Sequence, residues 1–388
     1  MFIRPKAPVP EPYTRHTLLD LGYRIDPDDG KVRSIATGDL YNEGVDGKRA
    51  KELYQALVHP AEREVYRVMT EGELRMEPIA VPDRGQPHTY IYATPGALAK
   101  DRLVVLVVGH GTCGGVWAWS TLLKSGIHEG SVVDYVRACS ERGLGVLVLN
   151  PNENIIAPDG RADTVYGYCG LAAAICGSET ADEHVGYVWS NLLRDGAARS
   201  VAFVAYSAAG IAVAELLKHD FARFVGKTAG VAFIDSLHTT YGLGSGARSW
   251  LWRGAKHWMS SAEPMDRALA NDNVGCPTVS AENATESREL TPAICRASVV
   301  DYIAACLDRG PIEDAAALGD GQGYPAAHDA DQDSDRGSDV CDTGDIHEAL
   351  DSLQTMPLQD GDWDVDAAAK AARPGGDEGD DRHYVGWD

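Results

Sequence analysis

V-A-F-V-A-Y-S-A-A-G, residues 201–210, is the stretch that decides the fold. Val201 to Ala205 is an unbroken apolar run with no polar alternation, the pattern of a strand covered on both faces. The run stops at Tyr206-Ser207-Ala208, and Gly210 to Lys218 then takes up helical periodicity. A strand, one Ser and a helix with only small residues two before and two after the Ser form the pattern of a nucleophile elbow. Ala205 and Ala209 meet that size rule, although neither is Gly.

Working outward, the same kind of buried run recurs at Leu103–Val108, Gly145–Leu149 and Gly230–Ile234, with a fifth candidate at Pro277–Ala281. Helical patterns separate them at Val132–Arg142 and Glu183–Leu193, and a last helix follows through Ala297–Leu307. Strands alternating with helices at this spacing predict a parallel, doubly wound α/β sheet with helices on both faces. Upstream, Leu18–Ala36 reads as two short elements around a turn at Asp26–Lys31, Arg49–Met69 as a helix and Thr89–Ala93 as a strand. Residues 155–180 are Gly- and Ala-rich and read as an irregular insertion or lid.

The net charge of −23 is unevenly spread. From Pro311 onward, 21 Asp and Glu face 4 Lys and Arg, a net −17, which leaves −6 for residues 1–310. The composition therefore divides the chain into a Pro-rich, flexible stretch at 1–13, a folded domain at 14–309, and a disordered acidic tail at 310–388 with one weak helical pattern around Ile346–Leu353. The domain has an N-terminal portion, 14–100, and a core, 101–309. The acidic balance argues against direct binding to nucleic-acid phosphates, and leaves a basic protein surface as a partner. No secretory leader pattern is present, and the longest strongly apolar run, Leu103–Val108, is far short of the roughly 20 residues of a membrane span. A soluble, non-secreted protein with no membrane association is expected. The eight cysteines include no C-x-x-C pair, and no cluster has zinc-ligand spacing, so neither a metal nor a cofactor is expected.

In an open α/β sheet, chemistry gathers at the carboxyl ends of the strands. Those ends carry His110, Asn150, Ser207, Asp235 and His238. Two readings of Ser207 compete: a nucleophile on an elbow, or a plain helix N-cap. In the first, the Ala208 amide and one from Gly111 or Thr112 face a developing oxyanion. Asp235 orients a base, and His238 is the nearest candidate for that base. His238 could equally be a structural histidine bonded to a backbone carbonyl. Cys113 lacks an elbow and an evident base.

Six segments in order, V-L-V-V-G-H-G-T (105–112), G-L-G-V-L-V-L-N-P-N-E-N (143–154), E-H-V-G-Y-V-W (183–189), the 201–210 stretch, V-A-F-I-D-S-L-H (231–238) and H-W-M-S-S-A-E-P-M-D (257–266), give the chain a family resemblance. Together they resemble the Argonaute-binding Arb-two domain family, over roughly residues 14–308. The most specific marks are Asn150-Pro151-Asn152 with Glu153-Asn154, and the stretch holding Trp258, Ser260, Ser261, Glu263, Pro264 and Asp266. The resemblance implies an α/β-hydrolase-like fold. It also implies association with Argonaute, heterochromatin or RNA-processing complexes, in the nucleus or cytoplasm. The family's elbow usually reads A-H-S-x-G-G, where this chain has Tyr206 and Ala209. The family also carries a His just before E-L-T, the position of a hydrolase's catalytic base, and here that position is Arg288. An Arg stays protonated at neutral pH and cannot serve as a general base.

Two functions follow: a non-catalytic or weakly catalytic scaffold of silencing or co-transcriptional complexes, or a serine hydrolase for an ester or acyl substrate. The apolar content that builds a core ends before the tail. A chain ending at Gly310 is expected to unfold cooperatively, within a few degrees of the full chain in a thermal melt. Loss of cooperativity would place part of the core beyond Gly310.

Overall fold

The computed structural model describes residues 16–42, 48–83, 87–157, 162–164, 172–271, 273–285 and 287–312. The acidic segment, its weak helical pattern and the Pro-rich start lie outside these residues. One nine-stranded sheet organises the rest. In chain order its strands are β1 (Glu77–Val81), β2 (Thr89–Ala93), β3 (Arg102–Val107), β4 (Gly145–Val148), β5 (Ser200–Tyr206), β6 (Thr228–Ile234), β7 (Ala255–Met259), β8 (Ala268–Leu269) and β9 (Thr278–Ser280). Across the sheet they run β8-β9-β7-β6-β5-β3-β4-β2-β1. From β4 through β9 every neighbouring pair is parallel, while β1, β2 and the short β8 pair antiparallel. This mostly parallel sheet, with helices on both faces and two antiparallel strands on one flank, is an α/β-hydrolase-like architecture.

The unbroken apolar runs have a direct physical reason. Successive side chains of a strand point to opposite faces. Val104 and Leu106 of β3, with Ala202 and Val204 of β5, enter one core. That core is completed by helices α1 (Lys48–Thr70), α2 (Val133–Glu141) and, last in the chain, α6 (Arg296–Arg309). Leu103, Val105, Val201 and Phe203 enter the other. It is closed by α3 (Ala181–Val188), α4 (Ala209–His219) and α5 (Ser245–Gly254). Both faces of the central strands are therefore covered, and apolar residues fill most of their positions.

Three expectations change. The run Pro277–Ala281 does form a strand, β9, but β7 lies between it and β6. Lys256 and His257 interrupt the apolar run of β7 and hide it from a periodicity reading. The helix at Glu183–Leu193 starts earlier, at Ala181. There the Thr180 hydroxyl accepts the Glu183 amide at 3.2 Å, and the last turn widens to π geometry over Trp189–Leu193. Within 155–180, the described residues are not irregular throughout. Glu153–Ile156 pairs antiparallel with Ala162–Thr164 and Ala173–Ala174. The elements around the Asp26–Lys31 turn are a hairpin, Tyr23–Ile25 with Val32–Ser34.

Under α4 and α5 the core is aromatic. Phe224 stacks on Phe203 at 5.8 Å between centroids and meets Trp189 at 5.5 Å and Trp250 edge-on at 5.2 Å. It is fully buried. Phe224→Ala is expected to lower unfolding free energy by about 3–5 kcal/mol, because three large rings cannot collapse into the space left. Chemical denaturation checks this, and a loss below about 1 kcal/mol would mean that the cluster repacks.

Candidate active site

β5 ends at Tyr206 and α4 starts at Ala209, with Ser207 between them in the left-handed region at φ +54°. A non-glycine residue held there costs on the order of 1–3 kcal/mol. Ala208, not Ser207, occupies the N-cap, and no side chain caps α4. Ser207 therefore sits on an elbow, and the plain-cap reading does not describe it. Neighbouring backbone holds the turn. The Ser207 amide donates to the Ile234 carbonyl at 2.9 Å, and the Ser207 carbonyl accepts from the amides of Gly210 and Leu237, each at 3.2 Å. A Cβ on Gly210 would lie 1.8 Å from Ser236 Oγ and 3.1 Å from a Phe233 ring carbon, so only glycine lets the helix start this close to β6.

The loop after β3 lies against the elbow. A Cβ on Gly109 would stand 3.1 Å from the Tyr206 ring and 3.4 Å from Ser207 Cβ. Asn152 ties this loop down, its Nδ2 donating to the carbonyls of Gly109 (2.7 Å) and Thr112 (2.6 Å). Gly111 is left-handed at φ +77°, and the Thr112 hydroxyl closes the turn onto Gly109 at 3.2 Å. Among the described residues, the amides of Ala208, Gly111 and Thr112 donate to no backbone carbonyl. They are the expected oxyanion donors, and they remain uncommitted. A small pocket between this loop and the start of α4 is lined by Gly109, His110, Asn152, Ala208 and Ala212, among others.

Asp235 follows β6 and is also left-handed, at φ +40°. Its Oδ1 accepts the Ser260 amide at 2.7 Å. Its Oδ2 is buried and has no hydrogen-bond partner. Burial raises this carboxyl's pKa, and the Ser260 amide, the Thr291 hydroxyl and the Arg288 charge work the opposite way. Arg288 itself is exposed, at the start of the short turn Arg288–Leu290.

His238 does not stand as the base for Ser207. Its ring stacks on Phe233 at 3.7 Å, Nδ1 meets Ser236 Oγ at 2.8 Å and Nε2 meets the Val274 carbonyl at 3.0 Å. A carbonyl can only accept, so Nε2 carries the proton and the Nδ1 lone pair is spent on Ser236. Burial pulls its pKa down to about 4, which leaves the ring neutral and fixed. The two residues between Asp235 and His238 direct the imidazole into the core instead of toward the elbow. A third histidine near the site, His257, escaped sequence reasoning. It accepts the Ser236 amide on Nε2 at 3.1 Å, and burial holds it near 3.

The asparagine motif is a set of ties. Asn150 accepts the Gly114 amide at 2.7 Å and donates to Thr89 Oγ1 at 3.2 Å, while its own amide donates to His184 Nε2 at 3.3 Å. Asn154 Nδ2 spans the carbonyls of Pro151 (2.9 Å) and Ser178 (2.8 Å). Glu153 accepts the hydroxyls of Tyr66 at 3.1 Å and Thr89 at 2.8 Å. Burial, with the Glu62 carboxylate close by, raises its pKa to about 7. The same surroundings, burial first, push the Cys113 thiol well up, which disfavours its thiolate form. The second motif is mostly scaffolding. Asp266 accepts from Trp258 Nε1 (3.1 Å) and Lys256 Nζ (2.9 Å), Ser280 Oγ donates to the Glu263 carbonyl (2.6 Å), Ser261 Oγ accepts the Glu263 amide (3.2 Å), and the Pro264 carbonyl accepts the Arg267 amide (3.1 Å). From this motif the Ser260 amide and the Trp258 carbonyl reach Asp235.

Residues 14–265 match the family described as the Arb2 domain. Similar proteins include the cotranscriptional regulator ARB2A homolog of Xenopus tropicalis, 29% identical over 68% of this chain and 73% of that protein. The human cotranscriptional regulator ARB2A is 27% identical over 68% of this chain and 74% of its own length. Among solved structures, a histone deacetylase from Saccharomyces cerevisiae aligns with a TM-score of 0.43 at 13% identity, over 64% of this chain and 97% of that one.

The Glu153 carboxyl gives the fold a pH dependence of defined sign. Its ordinary value is 4.5 and its folded value is about 7. Between these the folded state keeps a proton that the unfolded chain releases, so this group's contribution to stability is lost as pH rises toward and through about 7. Glu153→Gln is neutral at every pH and is expected to remove that part of the loss. Melting temperatures from about pH 5 to about pH 8 check it, and parallel profiles for the two proteins would show that Glu153 does not titrate in this window.

Proposed function

We propose that this chain, which belongs to the Arb2 domain family, is a non-catalytic or weakly catalytic scaffold in co-transcriptional RNA regulation. Its place is the nucleus, with protein partners from Argonaute-containing silencing or chromatin complexes. The family and the cotranscriptional-regulator relatives support a regulatory role on an α/β-hydrolase-like fold. The observation that carries the scaffold reading is the state of the would-be base. His238 has both nitrogens engaged, and the family's base position holds Arg288. Losing a general base typically removes 10²–10⁴-fold in rate. The net charge of −23 favours contacts through proteins over contacts with phosphates.

A serine hydrolase is the second reading, favoured by the strained Ser207 and by Asp235 beside it. The two separate by experiment. Tagged full-length protein recovered from nuclear extract after nuclease treatment is expected to bring Argonaute or RNA-processing subunits with it. Recovery that disappears with the RNA would overturn the protein-scaffold reading. On simple esters the unmodified protein is expected to be nearly inactive, and Arg288→His to raise the rate by roughly 10²-fold or more. Strong turnover by the unmodified protein would favour the hydrolase.

A further inference from the structure

Two carboxyls meet beneath the loop 109–115 that follows β3. Glu62 is buried on α1, where His59 Nδ1 meets it at 3.2 Å. Glu153, in the asparagine motif after β4, accepts the Tyr66 hydroxyl on one oxygen and the Thr89 hydroxyl on the other. Tyr66 lies one turn after Glu62 on α1, and the buried Cys113 thiol of the loop interacts with both. Among the described residues, the titratable groups facing Glu153 are Glu62 and Tyr66 of α1, Tyr92 of β2 and Cys113 of the loop. No described Lys or Arg forms an ion pair with it. Two carboxyls buried side by side without a cation cannot both ionise cheaply, and one keeps its proton.

The loop is wedged between the elements that carry these two groups. The Gly114 amide donates to Asn150 Oδ1 at 2.7 Å, Asn150 Nδ2 donates to Thr89 Oγ1 at 3.2 Å, and Thr89 donates to Glu153. A Cβ on Gly114 would lie 2.8 Å from Asn150 Cβ, and one on Gly115 would lie 2.9 Å from Met69 Sδ of α1. The loop therefore has room only while α1 and the asparagine motif keep their spacing, and that spacing is what repulsion between Glu62 and Glu153 acts on. Gly111 and Thr112, whose amides lie beside the elbow, belong to the same loop.

We propose that Glu62 and Glu153 form a proton-operated latch on the loop 109–115, which locks the loop onto α1 and Asn150 while Glu153 keeps its proton and loosens it when that proton is lost to solvent. The latch would set the shape of the elbow's oxyanion side, and it stands separately from the scaffold and hydrolase readings. Its sign follows from linkage. In the closed loop Glu153 titrates at about 7, and in an opened, solvated loop it returns toward its ordinary 4.5. Opening then becomes more favourable by roughly tenfold per pH unit between these values and levels off above about 7.

Hydrogen–deuterium exchange of the full chain from about pH 5 to about pH 8, corrected for the intrinsic pH dependence of exchange, tests this in the segment 114–117. Protection there is expected to fall by roughly tenfold per pH unit, to level off above about pH 7, and to stay below that of α6 throughout. Glu153→Gln, neutral at every pH, should abolish the fall. Glu62→Gln, which removes the neighbouring charge, should make it stop at a lower pH, and His59→Gln should leave the fall in place. Protection independent of pH in the unmodified protein would overturn the proposal without recourse to any variant. So would protection equal to that of α6, because the loop would then open only when the domain unfolds. A fall that persists in Glu153→Gln, or one abolished by His59→Gln, would also overturn it. Should Glu153→Gln fail to fold, the unmodified profile and Glu62→Gln decide.

Discussion

Three adjoining strands buried on both faces must all end at one edge, and the backbone groups released there need partners. β3, β5 and β6 end side by side at Val107, Tyr206 and Ile234. Beyond these residues the regular ladder ends, yet residues just past the strand ends, such as Asn150 and Ser236, stay buried. Buried backbone groups without partners are costly. The elbow satisfies several at once, because turning Ser207 left-handed aims its amide at Ile234 and its carbonyl at Leu237. Asn152 does the same for the loop after β3. The strain at Ser207 and the asparagine motif are thus two answers to one constraint.

That constraint also explains why so many ionisable groups at this edge are neutral. His184, His238 and His257 all sit well below the ordinary histidine value because burial disfavours the charged ring. As neutral rings each offers one donor and one acceptor, which suits bridging between backbone ends. His184 takes the Asn150 amide and pairs with Ser178. His257 takes the Ser236 amide. Glu153 follows the same logic among hydroxyl groups. Polar side chains here act as supports for loops, and their chemistry is suppressed by burial.

The parts legible in the sequence are those set by local pattern. Buried runs flanked by helices give away β3–β6, and small residues around Ser207 give away the elbow. Asp235 could be located because it follows a readable strand. What stayed hidden depends on partners far away in sequence. Thr89 and Glu153 are 64 residues apart, and Tyr66 and Glu153 are 87 apart. β7 was missed because Lys256 and His257 look like loop residues until His257 is seen bridging β6 and β9. His238 misled through proximity. Closeness to Asp235 in the chain carries no information about ring direction, and the stack on Phe233 decides that.

The asymmetry between the two halves of the site bears on what it is for. Backbone economy accounts for Ser207, whose left-handed turn completes bonds at both its amide and its carbonyl. It accounts less well for Asp235. The Asp235 amide donates to the Trp258 carbonyl at 2.9 Å, and Oδ1 secures Ser260, so an asparagine could make both bonds without burying a charge. A carboxylate keeps a second acceptor, Oδ2, in a setting where burial already opposes its ionisation. The Thr291 hydroxyl, which accepts Asn283 Nδ2 at 2.9 Å, bears on this carboxyl and favours its charged form against burial. The carboxyl stands one residue past the end of β6, on the strand next to the one that ends in the elbow, and the amides of Ala208, Gly111 and Thr112 make no backbone hydrogen bond there.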